Sequence, residues 1–384
     1  MLRITKPYVF ITSGIILFGA ACVVAAEPNA PSTKPDPASP KGYAEASPFK
    51  MNKLLGRGVN IGNALEAPTE GAWGVVIKEE YFDIIKQAGF NSVRLPVNWS
   101  GHALKEKPYT ISPEFFKRVD TIINWAVSRN MPIIINIHQY NETYDEPLEQ
   151  KERFIALWKQ IAEHYKNYPD ILLFEPMNEP KKKLTPQIWN DYIKDFLAVI
   201  RESNPNRTVV IGSARDSWIM YLKLLELPKN DRNIIVSVHH YFPHAFTHQS
   251  TPWMNPEKVA KTVADMKFIG QDINSNGVND YNAWPGTKWM GTPEEKKLMT
   301  DIFDIGAAWG KQHNRPINLG EFGSYYKADM ESRARWTKFI ADTAAERGMS
   351  LMYWEFCAQE FGLYDRDAKA WRKPLLEAII PPKQ

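Results

Sequence analysis

The chain has 384 residues, which allows one large domain or two ordinary ones. Its 44% hydrophobic and 24% charged residues are typical of a globular protein. The formal net charge of +3 is small and no stripe of Lys and Arg is present, so composition and charge argue against a protein that binds nucleic acid.

The N-terminus has the pattern of an export signal. Arg3 and Lys6 precede an uncharged apolar stretch, 8–26, that ends in small residues. We expect cleavage after Ala26, which makes 1–26 a signal peptide. The sequence therefore predicts a secreted protein or one of the periplasm or cell envelope.

Two alternatives to cleavage remain open, and both would tether the protein to a membrane. The apolar stretch is long enough to be an uncleaved anchor, and Cys22 is a candidate for lipidation. The next segment, 27–48, is rich in Pro, Ala, Ser and Lys without apolar periodicity, which predicts a disordered linker. Once 1–26 is removed, Cys357 is the one cysteine left, so no intrachain disulfide can form.

Strand-like and helix-like segments alternate through 49–384, which we predict to be one folded domain. Strands are expected at 56–62, 92–97, 132–138, 171–174, 208–212, 234–239, 316–321 and 351–356. Helices are expected at 113–130, 151–168, 186–203, 293–313, 328–347 and 371–380. Three helices begin with a Ser-Pro or Thr-Pro capping signal, at Ser112, Thr185 and Thr292. Eight strands in alternation with helices predict an α/β protein with a (β/α)8 TIM barrel.

The connection after the sixth strand, 241–292, is too long for a simple turn. It contains its own predicted helix, 256–270, and a turn rich in Gly and Asn. Loops that follow barrel strands face the catalytic mouth, so this insertion should shape the cleft.

The turn in this insertion resembles the start of a calcium loop. Asp272, Asn274 and Asn276 have the spacing of the first ligands, but Ala283 stands where a bidentate Glu is expected. An Asn/Gly turn is the plainer interpretation. We therefore predict neither a metal nor a cofactor.

Polar side chains stand at the C-terminal ends of the predicted strands, where barrel enzymes place their active sites. They are Arg94, His138, Asn178, Glu179, His239, His240, Tyr241 and Glu321, with Trp354 beside them. Glu179 and Glu321 each follow an apolar run on separate strands. Cleavage of a glycosidic bond requires two carboxyl groups on opposite sides of the scissile atom, so the pair predicts a glycosidase.

Four segments carry a resemblance to glycoside hydrolase family 5, the cellulase-type retaining glycosidases. They are Arg94-Leu95-Pro96, Phe174-Glu175-Pro176-Met177-Asn178-Glu179-Pro180, His239-His240-Tyr241 and Gly320-Glu321-Phe322-Gly323. The resemblance extends from about Arg57 to Pro381. It implies that 49–384 is a catalytic domain.

The resemblance implies the roles of the central residues. Glu179 is similar to the general acid/base, and Glu321 to the nucleophile that forms a glycosyl-enzyme intermediate. Arg94 would keep this nucleophile ionised, and Tyr241 would hydrogen-bond it.

Four further roles follow from the same resemblance. Asn178 would bind the 2-hydroxyl of the sugar that is cleaved, and Trp354 would stack beneath that sugar. His138 and His239 would complete the polar shell. His239 is favoured over His240 because His239-x-Tyr241 keeps the spacing of the motif.

The mechanism also predicts the charges of the pair. Retention requires carboxyl groups about 5–5.5 Å apart, one protonated and one ionised. We expect the neighbouring negative charge to raise the pKa of Glu179, and a guanidinium to lower that of Glu321.

Two other glutamates and a lysine run have simpler interpretations. Glu175 ends the same apolar run as Glu179 and is expected to be a buried support, and Glu355 should point away from the cleft. The run 181–183 of three lysines is expected to be a solvated loop.

Residues that bind the substrate further from the reaction are predicted in the loops. Asn63 and Trp73 follow the first strand. Trp99, Trp253, Trp284 and Trp289 could either form a rim of exposed rings or pack in the interior.

The sequence thus predicts an endo-β-1,4-glucanase that acts on a β-linked polysaccharide as a monomer. Within the class, a mannanase, a xyloglucanase or a mixed-linkage glucanase is the alternative. A noncatalytic polysaccharide-binding protein is the alternative from another class.

Overall fold

Eight parallel strands form a closed barrel in the computed structural model, which describes residues 48–253 and 286–382. The strands are Arg57–Asn60 (β1), Ser92–Leu95 (β2), Ile133–Asn136 (β3), Leu172–Glu175 (β4), Val209–Gly212 (β5), Ile234–His240 (β6), Ile317–Phe322 (β7) and Ser350–Tyr353 (β8). They follow one another around the barrel in chain order, and β1 closes on β8 with Gly58 opposite Met352. The predicted (β/α)8 TIM barrel is confirmed.

Helices surround the strands. They are Pro48–Leu55 (α1), Glu80–Gln87 (α2), Pro113–Val127 (α3), Asn141–Asp145 (α4), Pro147–Tyr165 (α5), Pro186–Ser203 (α6), His244–Thr247 (α7), Pro293–His313 (α8), Met330–Glu346 (α9) and Lys373–Ile379 (α10). The predicted caps are confirmed, because Ser112, Thr185 and Thr292 each accept the N–H three residues later. The sequence did not predict α1, α2 or the short α4 and α7.

The alternation is less regular after β5 than the sequence predicts. A 3-10 helix at Ile219–Leu224 follows β5, where most strands are followed by an α-helix. Near the C-terminus, a small antiparallel sheet forms between Tyr364–Asp365 (β9) and Ala370–Trp371 (β10).

The apolar core has two parts because side chains along a strand alternate between its two faces. One cluster lies within the barrel, and the larger one lies between the strands and the helices. The inner cluster contains Leu55, Ile134, Leu173, Val210, Ile235 and Met352. Leu55 comes from α1, which precedes β1, so apolar residues fill the N-terminal end of the barrel. The polar residues are thereby left to the C-terminal end.

Several predictions lie outside the described residues. These are the signal peptide 1–26, nearly all of the linker 27–48, the helix 256–270, the turn at Asp272, and Trp284. Pro48 is the first described residue and is already buried in α1. Among the described helices, none combines the length and apolarity needed to cross a membrane.

Candidate active site

Glu321 near the end of β7 is held by two hydrogen bonds. Nη1 of Arg94 donates to its Oε1 over 2.6 Å, and the Tyr241 hydroxyl donates to its Oε2 over 3.0 Å. Both carboxylate oxygens therefore have a fixed donor. Glu321 is 4% exposed and cannot turn away without breaking these contacts.

Arg94 is the centre of the buried polar network. It is fully buried in β2, and its Nε and Nη2 donate to the two oxygens of Glu175 over 2.6 and 2.9 Å. The same guanidinium donates to Asn60 and to Asn178 over 2.8 Å each. Glu175 thus has the supporting place that the sequence predicts, and the Asn178 amide keeps its NH2 group for a ligand.

Glu179 stands beside Glu321 in the loop after β4. Its backbone φ of 40° is in the left-handed region, an unfavourable conformation for a residue with a side chain that is typical of functional sites. His239 Nδ1 lies 2.9 Å from Oε1 of Glu179, and Lys181 Nζ donates to Oε2 over 3.1 Å. Because an ionised carboxylate can only accept, the His239 proton is on Nδ1.

The two carboxyl groups are close enough for a retaining mechanism. One oxygen of Glu179, one of Glu321 and a ring nitrogen of His239 lie within 4.8 Å of one another. Retaining glycosidases separate the carboxyl groups by about 5–5.5 Å, and inverting ones by about 6.5–9.5 Å. Such a cluster of donor atoms could also accommodate a cation, but Arg94 and Lys181 already neutralise these carboxylates.

The pKa values of Glu179 and Glu321 differ from those that the sequence predicts. Burial raises the pKa of Glu179, but the Lys181 ammonium and the His239 hydrogen bond outweigh it and hold that pKa well below its usual range. Burial raises the pKa of Glu321 despite His239 and Arg94. The order of the two pKa values is therefore the reverse of the predicted one, because the sequence argument did not include Lys181.

The assignment of His239 rather than His240 to the site agrees with the structure. Only His239 contacts a carboxylate among these two neighbours in β6. His240 points to the opposite side, where its Nε2 lies 3.3 Å from Sδ of Met299 and its ring stacks on Trp336.

Trp354 and His138 form one wall of the site. Their rings stack with centroids 5.4 Å apart. Asn136 donates to Nδ1 of His138 over 3.3 Å, which leaves the proton of the neutral ring on Nε2. Gly62 gives Trp354 its place, because a Cβ there would lie 2.8 Å from the indole ring.

A cleft of about 730 Å³ extends from this wall. Its lining includes the predicted residues Asn63, Trp73, His138 and Trp354, together with Trp253 and Glu66. Trp73 and Trp253 are 45% and 41% exposed, so both offer a ring surface.

Two other tryptophans do not belong to this rim. Trp99 and Trp289 are fully buried. Trp99 packs edge-on against Phe115, and Trp289 packs on Phe339. Of the two interpretations left open for these rings, interior packing is the right one.

Lys181 and Glu66 contribute to the site but were not singled out as site residues in the sequence. Lys181 lies in the loop predicted to be solvated, yet it bridges Glu179 and Asp216, with Nζ 3.1 and 3.2 Å from their oxygens. Glu66 is 1% exposed and accepts the backbone N–H groups of Asn63 and Ala64. Burial raises the pKa of Glu66 to about 7. The sequence feature that could have identified Glu66 is its position in the loop six residues after β1.

Glu355 is a buried acid behind the site. Its Oε2 accepts the N–H groups of Cys357 and Ala358 over 2.7 and 2.9 Å. Burial raises its pKa to about 8. The expectation that Glu355 supports the structure agrees with these contacts.

We expect the Glu355→Gln variant to lose less stability than the wild type as the pH rises. The folded state binds the Glu355 proton more tightly than the unfolded state does, so its contribution falls as pH rises from about 4.5 through about 8. Glutamine stays neutral and its oxygen can accept both N–H groups. Urea unfolding at about pH 5 and about pH 9 should show a difference on the order of a few kcal/mol. The exposed Glu346→Gln is the control, and equal pH dependence in all three proteins would contradict the prediction.

Comparison with known proteins agrees with this geometry. The chain is 34% identical to endoglucanase H of Acetivibrio thermocellus over 91% of its length, and 29% identical to the cellulase/esterase CelE of the same organism over 88%. It spans only 35% and 41% of those two proteins. Endoglucanase B of Ruminococcus albus is 27% identical, with 78% of its length covered.

Solved structures match over nearly all of the barrel. A hyperthermophilic endo-β-1,4-glucanase, solved in complex with substrate, is 42% identical with a TM-score of 0.79, and the match covers 88% of this chain and 100% of the other. Thermotoga maritima Cel5A in complex with mannotriose is 48% identical with a TM-score of 0.78, covering 87% and 100%. The profile of the cellulase family, glycosyl hydrolase family 5, matches residues 56–360. The chain therefore belongs to glycosyl hydrolase family 5.

Proposed function

We propose that the protein is an endo-β-1,4-glucanase that retains the configuration of the anomeric carbon. One observation carries the proposal: a buried carboxylate held by Arg94 and Tyr241 lies beside a second carboxylate, with oxygens within 4.8 Å. The pair stands at the C-terminal end of a barrel, where such enzymes place their chemistry.

In the first step, Glu321 attacks the anomeric carbon while the protonated form of Glu179, which Lys181 and His239 make the minor form, gives its proton to the departing glycosidic oxygen. A glycosyl–Glu321 ester forms and the glycosidic bond breaks. The attacking geometry is supported by Arg94 and Tyr241, which orient both oxygens of Glu321. Because forming the ester removes the negative charge of Glu321, repulsion between the two carboxyl groups ends.

In the second step, Glu179 acts as a base. It takes a proton from water, and the resulting hydroxide equivalent attacks the anomeric carbon and releases Glu321 as a carboxylate. His239 Nδ1 contacts Glu179 over 2.9 Å and lies 3.7 Å from Glu321, so it can hydrogen-bond the acid/base in either state.

Related structures support a β-linked glycan as substrate. The hyperthermophilic endo-β-1,4-glucanase was solved with substrate, and Thermotoga maritima Cel5A with cellobiose and with mannotriose. The exposed rings of Trp73 and Trp253 along the cleft suit the apolar faces of successive sugars. The mannotriose complex, at 48% identity, makes a β-mannan the second candidate substrate.

A substrate panel tests the proposal. Purified protein is incubated with carboxymethylcellulose, mixed-linkage glucan, xyloglucan and mannan, and products from cello-oligosaccharides are followed by proton NMR. We expect cleavage at internal β-1,4-glucosyl bonds with the β-anomer appearing first. Initial release of the α-anomer would overturn retention, and binding without cleavage would favour a noncatalytic protein.

A location outside the cytoplasm and a monomeric state belong to the same proposal. The apolar N-terminal stretch supports export, and a polymeric glucan is encountered outside the cell. Fractionation of the native host with an antibody against the barrel would test the location.

A further inference from the structure

Lys181 is placed between two acids at the edge of the active site. Its Nζ lies 3.1 Å from Oε2 of Glu179 and 3.2 Å from Oδ1 of Asp216, and 5.5 Å from the centre of the Tyr144 ring. Its side chain is 33% exposed, so the ammonium is only partly screened by water. The lysine therefore acts on Glu179 at contact distance.

The loop that carries Asp216 is attached to the loop that carries Lys181. Arg215, Asp216 and Ser217 all have φ values in the left-handed region, and the Asp216 N–H donates to the carbonyl of Pro180 over 3.1 Å. This backbone bond fixes Asp216 beside the residue that precedes Lys181. The acid is thus placed as a second partner for the ammonium.

Most other titratable groups around Glu179 are neutral. They are His138 on the β3 side, Tyr144 of α4, Tyr241 after β6, and His244 and His248 in and after α7. Burial lowers the pKa of each histidine and raises that of each tyrosine. The charged groups that remain are Lys181, Asp216, Glu321 and, through Asn178, Arg94, together with His239, whose pKa the two glutamates raise despite its burial.

We propose that Lys181 is a positioning residue that sets the proton affinity of Glu179, and that Asp216 weakens the interaction of Lys181 with Glu179. The inference rests on the proposed function, in which Glu179 must be protonated in one step and ionised in the next. Lys181 stabilises the ionised form of Glu179. It therefore makes Glu179 a stronger acid but reduces the fraction of molecules in which Glu179 is protonated. Asp216 offers the ammonium an alternative partner and favours the protonated form.

The direct test is a titration of Glu179 that needs no turnover. The Glu321→Gln background removes the coupled carboxyl group, and ¹³C-labelled glutamate allows the Glu179 carboxyl carbon to be followed by NMR, with Glu179→Gln for assignment. Adding Lys181→Met should raise the midpoint by about one pH unit or more. Adding Asp216→Asn should lower it. An unchanged midpoint with Lys181→Met, or a raised one with Asp216→Asn, would overturn the proposal.

Two variants control for charge and for structure. Lys182 is the next residue, is exposed, and pairs with Asp145 over 3.0 Å, so Lys182→Met removes the same charge without touching Glu179. It should leave the midpoint unchanged. Lys181→Arg keeps a cation, so its Glu179 midpoint should stay close to the wild-type value. Equal midpoints in Lys181→Arg and Lys181→Met would instead indicate that Lys181 has a structural role.

The pH dependence of activity gives an independent measurement in the protein that retains Glu321. With Lys181→Met, the centre of the bell-shaped profile of kcat/KM against pH should move to higher pH, because the proton affinity of one member of the pair has risen. If the wild type cleaves none of the glucans, the proposed function fails, while the NMR titration still decides the role of Lys181.

Discussion

Replacing Glu321 by alanine should reduce cleavage of a β-1,4-glucan on the order of 10⁴-fold or more, since the proposed mechanism forms the glycosyl-enzyme ester on the Glu321 carboxylate. Binding of a cello-oligosaccharide should persist because the cleft of about 730 Å³ and its aromatic rings are unchanged. Steady-state kinetics and calorimetric titration of cellotetraose measure the two effects. Activity within tenfold of the wild type would show that Glu321 is not the nucleophile.

Azide distinguishes the roles of the two glutamates. With an aryl β-cellobioside that carries a good leaving group, azide can enter the space left by Glu321→Ala and attack the anomeric carbon once, which gives the α-glycosyl azide. In Glu179→Ala the ester on Glu321 still forms, and azide then displaces it to give the β-glycosyl azide. Proton NMR identifies the anomer of each product. A β-glycosyl azide from Glu321→Ala and an α-glycosyl azide from Glu179→Ala would mean that the roles of the two glutamates are exchanged.

Glu360→Gln is a matched control for these deletions. Glu360 also lines the cleft, where its Oε2 accepts a hydrogen bond from Asn63 over 3.3 Å, but it lies outside the cluster of Glu179, His239 and Glu321. We expect it to change KM more than kcat and to give no glycosyl azide. The comparison separates loss of a carboxylate in the cleft from loss of the reacting one.

The barrel could be predicted from the sequence because apolar runs and helical segments alternate strongly. All eight strands occur where the pattern places them, with ends that differ by a few residues. Short helices such as Glu80–Gln87 were not predicted, because one or two turns contain too few residues to show the apolar periodicity of a helix. The 3-10 helix after β5 escaped for the same reason.

The site could be predicted in part, since each strand end delivers its residue to one mouth. Arg94, Glu179, Tyr241 and Glu321 meet there because barrel topology brings the ends of β2, β4, β6 and β7 together. The protonation states could not be predicted, because they depend on a loop side chain. Lys181 appears in the sequence as one of three consecutive lysines, and only loop conformation distinguishes it from Lys182.

Removal of Arg94 is the second prediction with a large effect. Arg94→Met leaves Glu175 and Glu321 buried without their shared cation, and breaking a buried pair typically costs about 3–5 kcal/mol. We expect a loss of unfolding free energy of about this size, measured by urea unfolding at about pH 8. Turnover should fall as well, because Glu321 loses the donor to its Oε1.

Arg207→Met is the matched control for this variant. Arg207 is also buried, but it donates to the backbone carbonyls of Tyr165, Tyr168, Pro169 and Leu172 and to the Asn204 side chain, all of them neutral. Its loss should destabilise the fold by an amount that changes little with pH. Its catalytic rate, measured while the protein is folded, should stay near that of the wild type.

The pH dependence decides whether charge is the cause. In Arg94→Met the buried acids can relieve their cost by binding protons, so the folded variant binds more protons than the unfolded chain as pH rises above the usual range of glutamate. The destabilisation should therefore be larger at about pH 8 than at about pH 5. Adding Glu175→Gln to Arg94→Met removes one unpaired charge and should recover part of the stability at the higher pH. An Arg94→Met deficit that is equal at both pH values would show that Arg94 acts by packing and not as the cation of this pair.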